Sequence, residues 1–233
     1  ILDLIIRVFC NPFKDKIITL PPTYGMYDVI AKTNAVENIK IPLTSDFSIN
    51  KNEILKLNST NIKVLFLCSP NNPTGNSFDT NDLTHLIKGF KGIVVVDEAY
   101  IDFSTKESLI SLIKDNNNLI ITQTMSKAFG MAGIRLGMGF SNEKIIRYLN
   151  KIKPPYNLNV LTERKALKEL NKINEIKKNI ALTLTQRKLL ITSLEKLDFI
   201  EKIYESDANF LLVKVDNADL RYNQLLKKGI VVR

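Results

Sequence analysis

The sequence predicts an α/β fold, a mostly parallel sheet flanked by helices, and three observations carry that expectation. Short apolar runs recur along the chain at Ile17 to Leu20, Val64 to Cys68, Ile93 to Val96, Leu119 to Thr122 and Leu136 to Phe140. Between them lie stretches whose apolar residues return every three to four positions, the period of a helix covering a sheet. Polar motifs follow the runs, where the carboxyl ends of parallel strands line a common crevice.

Taken in order, the run Ile17 to Leu20 is a strand that ends at Pro21-Pro22, and Tyr24 to Lys32 has helical spacing. Asn50 to Leu57 is a second helix, with Ser48 as a candidate N-cap. Val64 to Cys68 and Ile93 to Val96 are strands, joined by a helix over Asp79 to Phe90 with Asp79 as its N-cap. Ser108 to Asn116 reads as a helix, Leu119 to Thr122 and Leu136 to Phe140 as strands, and Asn142 to Asn150 as another helix. Pro154-Pro155 cannot continue it, so a domain boundary is expected there, with a large domain over 1–150 and a linker helix plus part of a smaller α/β domain over 151–233. In that second part Val160 to Leu197 is helical in period, and Phe210 to Val215 and Ile230 to Val232 read as strands.

A chain of 233 residues, 45% hydrophobic and 24% charged, buries a full core. Its net charge of +9 comes from lysines scattered among Asn and Ile, as in Lys168 to Asn179. Nucleic-acid binding calls for a basic run with interleaved aromatics and is not expected. No apolar stretch approaches the roughly 20 residues that span a bilayer, so no membrane span is expected. Cys10 and Cys68 give neither a disulfide framework nor metal-ligand spacing, the lone His85 falls on a surface helix, and a reducing cytoplasm fits. Asn58-Ser59-Thr60 matches a glycosylation acceptor by chance. The opening Ile1-Leu2-Asp3-Leu4, without an initiator Met, reads as the start of an internal fragment.

The chemistry concentrates in three motifs: Cys68-Ser69-Pro70-Asn71-Asn72-Pro73-Thr74-Gly75, Asp97-Glu98-Ala99-Tyr100, and Ser126-Lys127 with Arg135. A lysine at the end of a strand, beside a hydroxyl, an arginine and glycines, suits Schiff-base chemistry with pyridoxal phosphate. That cofactor needs a carboxylate for its ring nitrogen, donors for its phenolic oxygen and an anion site for its phosphate. Asp97 supplies the first, Asn72 and Tyr100 the second, Ser126 and Arg135 part of the third, and Tyr24 offers an aromatic face. Each has a plainer reading. Pro73-Thr74-Gly75 makes a turn in any protein, Arg135 a surface ion pair, and Tyr24 a core residue. An acidic residue ending a strand also suits nucleotide hydrolysis, but no phosphate-binding G-x-x-x-x-G-K-[ST] accompanies it, and Gly137-Met138-Gly139 lacks the third glycine of a dinucleotide site.

With Pro21 to Tyr27, Cys68 to Gly75, Asp97 to Phe103 and Ser126 to Arg135 together, the sequence resembles the fold-type I pyridoxal phosphate enzymes, in particular the histidinol-phosphate aminotransferase family of the class II aminotransferases. The resemblance implies that Lys127 is catalytic and carries the cofactor, Asp97 pairs with its ring nitrogen, and Asn72 and Tyr100 contact its phenolic oxygen. It also implies that Ser126 and Arg135 bind its phosphate, that Tyr24 stacks on its ring, and that Arg233 is a substrate-binding arginine. The implied reaction is reversible amino transfer between histidinol phosphate and 2-oxoglutarate, a step of histidine biosynthesis, in a cytoplasmic homodimer. By the same resemblance a phosphate-binding loop belongs before Ile1 and a further arginine beyond Arg233. Alternatives on the same scaffold are an aromatic aminotransferase, a threonine-phosphate decarboxylase, and, outside enzymes, a cofactor-sensing regulatory domain.

Overall fold

The computed structural model describes residues 1–57 and 59–233; Asn58 of the chance glycosylation match lies outside the described residues. Its main feature is a six-stranded sheet of order β2-β1-β3-β4-β5-β6. The strands are β1 (Lys16–Thr19), β2 (Glu37–Lys40), β3 (Ile62–Cys68), β4 (Ile93–Asp97), β5 (Leu119–Thr124) and β6 (Gly137–Ser141). All pair in parallel except β6, which runs antiparallel to β5. The strand register sets Cys68 beside Asp97 and Asp97 beside Thr122, so the carboxyl ends of three neighbouring strands lie side by side, with β5 running two residues further.

Both faces of the sheet are covered, which is why its central strands read as continuous apolar runs. On one face Ile18, Leu65, Leu67, Val94, Val96 and Ile121 pack against Ile54 of α3 (Lys51–Lys56) and Leu83, Leu86 and Ile87 of α4 (Thr80–Gly89). On the other, Ile17, Val64, Phe66, Val95 and Ile120 meet α1 (Leu2–Phe9), α2 (Met26–Thr33) and α5 (Glu143–Ile152) through Ile5, Ile6, Tyr27, Ala31, Ile145 and Leu149. Alternate residues of each strand thus feed separate layers, and each fully buried aliphatic side chain contributes about 1.5–3 kcal/mol.

Beyond α5 come α6 (Val160–Leu170), α7 (Ile173–Leu194), an antiparallel pair β7 (Ile200–Ile203) and β8 (Val213–Val215), and α8 (Ala218–Lys227). The single helical period over Val160 to Leu197 is broken at Asn171-Lys172, between α6 and α7. The segment leading into β8 packs on the main sheet's loops. Asp207 N donates to Gly75 O at 2.7 Å, and the Phe210 ring meets Tyr100 edge-on at 5.2 Å.

Several elements differ from the sequence expectation. Asn50, not Ser48, caps α3, accepting from Glu53 N, while Ser48 Oγ turns to Asp46 Oδ2 at 3.0 Å. Ser108 to Asn116 forms a 3-10 segment, Leu109–Asp115. The carboxylate of buried Glu98 holds both Ser108 Oγ and Leu109 N, which fixes the start of this tight turn. Only Val213–Val215 of the run from Phe210 is strand, because Phe210 is used against Tyr100. Ile230 to Val232 is not a strand: the three side chains are half or more exposed on average and find no partner strand among the described residues. The edge strand β2, Glu-Asn-Ile-Lys, carries charged ends of the kind that discourage further pairing, and for the same reason it lacked an apolar signature.

Candidate active site

A cavity of about 780 Å³ opens at the carboxyl ends of β3, β4 and β5, and Tyr24, Asn72, Asp97, Tyr100, Ser126, Lys127 and Arg135 all line it. Its volume lies within the range of small-molecule sites. Arg233, in the exposed segment after α8, does not line it.

The β3 loop is held from within. Buried Asn71 accepts from Thr23 Oγ1 at 2.8 Å and donates to Pro22 O and to Thr74 Oγ1. These bonds tie the turn bearing Asn72 to the segment bearing Tyr24. Gly75 follows with φ +84, and a Cβ there would stand 2.8 Å from Ser206 Oγ. Only glycine suits both the left-handed backbone and the close approach. Asn72 Nδ2 then donates to the Tyr100 hydroxyl at 3.0 Å, across from the β3 loop to the β4 loop.

Lys127 sits in a turn after β5 closed by Gly130 N to Lys127 O at 3.0 Å and Met131 N to Met125 O at 3.0 Å. Its Nζ lies 5.0 Å from the centre of the Tyr100 ring. Thr124 Oγ1 accepts from Ser126 N at 3.1 Å and donates within reach of Ser126 Oγ, which sets the hydroxyl beside the lysine. Arg135 adopts φ 56, ψ 42, an uncommon left-handed conformation for an arginine, and its guanidinium donates to Ala132 O at 2.9 Å. Tyr24 stands edge-on to Tyr27, with ring centres 5.5 Å apart.

Asp97 is the acidic group of this lining and is only 7% exposed. Burial pushes its carboxyl above the usual carboxylate range, and the hydrogen bond from Tyr27 opposes that rise. Cys68 beside it is a neutral thiol, pushed up to about 12 by burial. Thr122 Oγ1 lies near enough to favour the Asp97 charge yet makes no sound hydrogen bond of its own.

These observations fit pyridoxal phosphate. A buried carboxylate strained toward protonation and an unpartnered hydroxyl next to it accommodate a cationic ring nitrogen. A lysine, a serine and an arginine on the same wall supply an amine and anion donors.

The sequence reading assigned Tyr27 no role beyond its place in the Pro21 to Tyr27 motif, because its partner Asp97 lies far away in the chain. It also missed Thr122, recognisable only from strand register, and Lys153, Asn157 and Leu158, which line the cavity from either side of the Pro154-Pro155 helix break.

Comparison with known proteins gives a consistent picture. The profile of the aminotransferase class I and II family matches residues 1–233. A histidinol-phosphate aminotransferase of Flavobacterium johnsoniae is 55% identical over 233 residues, covering 100% of this chain and 67% of that relative. One from Flavobacterium psychrophilum is 54% identical with the same coverage. Among solved structures, the histidinol-phosphate aminotransferase of Clostridium acetobutylicum superposes with a TM-score of 0.90 at 29% identity, covering 100% of this chain and 70% of that one.

Proposed function

The chain belongs to the class I and II aminotransferase family, and from that premise we propose that it transfers the amino group of histidinol phosphate to 2-oxoglutarate, with pyridoxal phosphate, in histidine biosynthesis. The observation that carries the reading is the convergence of Lys127, Asp97, Asn72, Tyr100, Ser126 and Arg135 on one cavity.

When bound, pyridoxal phosphate supplies an electron-accepting ring that stabilises negative charge developing at the substrate's Cα. In this proposal Lys127 holds the cofactor through its amine and, once released by substrate, its Nζ takes the proton from Cα. Its place over the Tyr100 ring keeps the amine at the cavity wall. Asp97 holds the proton on the ring nitrogen, and its burial excludes the water that would weaken that pairing. Asn72 and Tyr100 bind the phenolic oxygen as a preassembled pair. Ser126 and Arg135 would receive the phosphate, and Tyr24 would offer its ring to the cofactor.

The reading also includes a homodimer and a cytoplasmic setting. Exposed apolar residues on α6, among them Leu161 and Leu167, support a protein partner. Cys10 and Cys68 are unpaired, which suits a reducing compartment. No described helix is long and apolar enough to cross a membrane.

The test is amino transfer by the full-length protein with histidinol phosphate, phenylalanine or phosphothreonine supplied separately. Glutamate formed mainly from histidinol phosphate supports the proposal. Preference for phenylalanine makes the protein an aromatic aminotransferase, and carbon dioxide release from phosphothreonine makes it a decarboxylase.

A further inference from the structure

Tyr27 has no part in the roles assigned above, yet it touches the acid at the centre of them. It rises from α2, is 1% exposed and does not line the cavity. Its ring lies flat on Phe66 of β3, with centres 4.8 Å apart and planes at 16°. Its hydroxyl donates to Asp97 Oδ2 at 2.8 Å. A buried tyrosine ordinarily satisfies its hydroxyl on whatever acceptor is near, often a backbone carbonyl. Here the acceptor is a buried carboxylate that itself faces the cavity.

We propose that Tyr27 is a positioning residue for amino transfer: from behind the cavity wall its hydroxyl fixes the Asp97 carboxylate and keeps it ionised, so that Asp97 holds the proton on the cofactor's ring nitrogen. The inference rests on the cofactor assignment made above. Three features of the geometry support it. The donor does not itself line the cavity, so it does not compete with a ligand for space. The stacked ring of Phe66 restricts Tyr27 to one orientation, which makes the hydrogen bond a fixed part of the site. The hydroxyl also stays a donor over the working pH range, since burial and then the Asp97 charge hold its own proton well above the ordinary tyrosine value.

Facing the same carboxylate, Cys68 from β3 is a neutral thiol, Thr122 comes from β5, and Lys127 from the turn beyond it. Among the hydrogen bonds that offset the burial of Asp97, that from Tyr27 is the largest. Without it the carboxylate becomes more basic, and the shared proton moves from the ring nitrogen toward Asp97.

The experiment loads the full-length protein and its Tyr27→Phe variant with pyridoxal phosphate carrying a nitrogen-15 ring atom, and reads the nitrogen chemical shift and the cofactor Kd. Tyr27→Phe keeps the ring on Phe66 and removes only the hydroxyl. We expect its ring nitrogen to shift toward the unprotonated position and its Kd to rise about 3- to 10-fold, the size of one net hydrogen bond. A second variant, Phe66→Leu, disturbs the packing and leaves the hydroxyl. It should lower thermal stability while the nitrogen shift stays at the wild-type position. An unchanged nitrogen shift in Tyr27→Phe, or an equal displacement in both variants, overturns the proposal. A wild-type protein that binds no pyridoxal phosphate instead overturns the cofactor assignment on which it rests.

Discussion

Asn72 and Tyr100 form a hydrogen bond of 3.0 Å that joins the loops leaving β3 and β4, so the residues proposed for the cofactor's phenolic oxygen are locked to each other before any ligand arrives. The Tyr100 hydroxyl accepts in this bond, which leaves its own hydrogen available to a ligand. Tyr100→Phe keeps the ring contacts with Phe210 and Lys127 and removes both capacities. We expect cofactor Kd to rise about 3- to 10-fold, with little change in thermal midpoint. An absorbance titration of the variant with pyridoxal phosphate checks this, and an unchanged Kd would remove Tyr100 from the cofactor set.

Arg135 combines an uncommon backbone conformation with a place on the cavity wall. If its guanidinium binds the phosphate, Arg135→Ala loses a charge-assisted contact and weakens cofactor binding by about tenfold or more. Arg135→Lys keeps the charge without the planar fork and should fall between the two. Equilibrium dialysis distinguishes these outcomes, and substrate preference should hardly move.

Asp97 makes the cofactor-free protein less stable at neutral pH. Its folded-state pKa is raised above the unfolded value of 3.8, chiefly by burial, so the native state binds more protons between those two values than the unfolded state does. Stability therefore falls as pH rises from the unfolded value through the folded one. Asp97→Asn removes the charge, so the cofactor-free variant should melt higher than wild type at pH 7 while losing amino transfer. Calorimetry against pH on both proteins measures the difference, which should vanish below pH 3.8.

Gly75 binds the site loop to the segment preceding β8. Gly75→Ala forces a side chain into φ +84 and against Ser206 Oγ. A left-handed alanine costs about 1–2 kcal/mol before any clash is counted. Thermal unfolding should drop by about 2–8 °C, and Ser206→Gly should recover part of the loss. Full stability in Gly75→Ala would show that the contact between Gly75 and Ser206 is not constrained.

The sheet was legible because its central strands are buried on both faces. Val64 to Cys68 and Ile93 to Val96 are unbroken apolar runs for that reason, and their positions held to within two residues. The residues gathered at their carboxyl ends were legible as well, since strand order alone brings Asn72, Asp97 and Lys127 to one edge. What lacked a local signal was anything defined by a distant partner. β2 exists because Ile17 to Thr19 offer it an edge, not because Glu-Asn-Ile-Lys prefers extension. Ser48 and Asn50 are both plausible caps, and only the turn at Thr44 to Ser48 decides between them. Tyr27 reads as one more core aromatic until its hydroxyl is seen on an acid 70 residues away in the chain.

The proposed chemistry turns on the Lys127 amine, which chemical fixation can identify. The full-length protein is loaded with pyridoxal phosphate, treated with borohydride to fix the cofactor to whichever amine holds it, digested and mapped by mass spectrometry. The cofactor should be found on Lys127, and Lys127→Ala should carry none. Cofactor fixed to a different lysine, or none fixed to the wild-type protein, would rule out Lys127 as the cofactor-bearing residue.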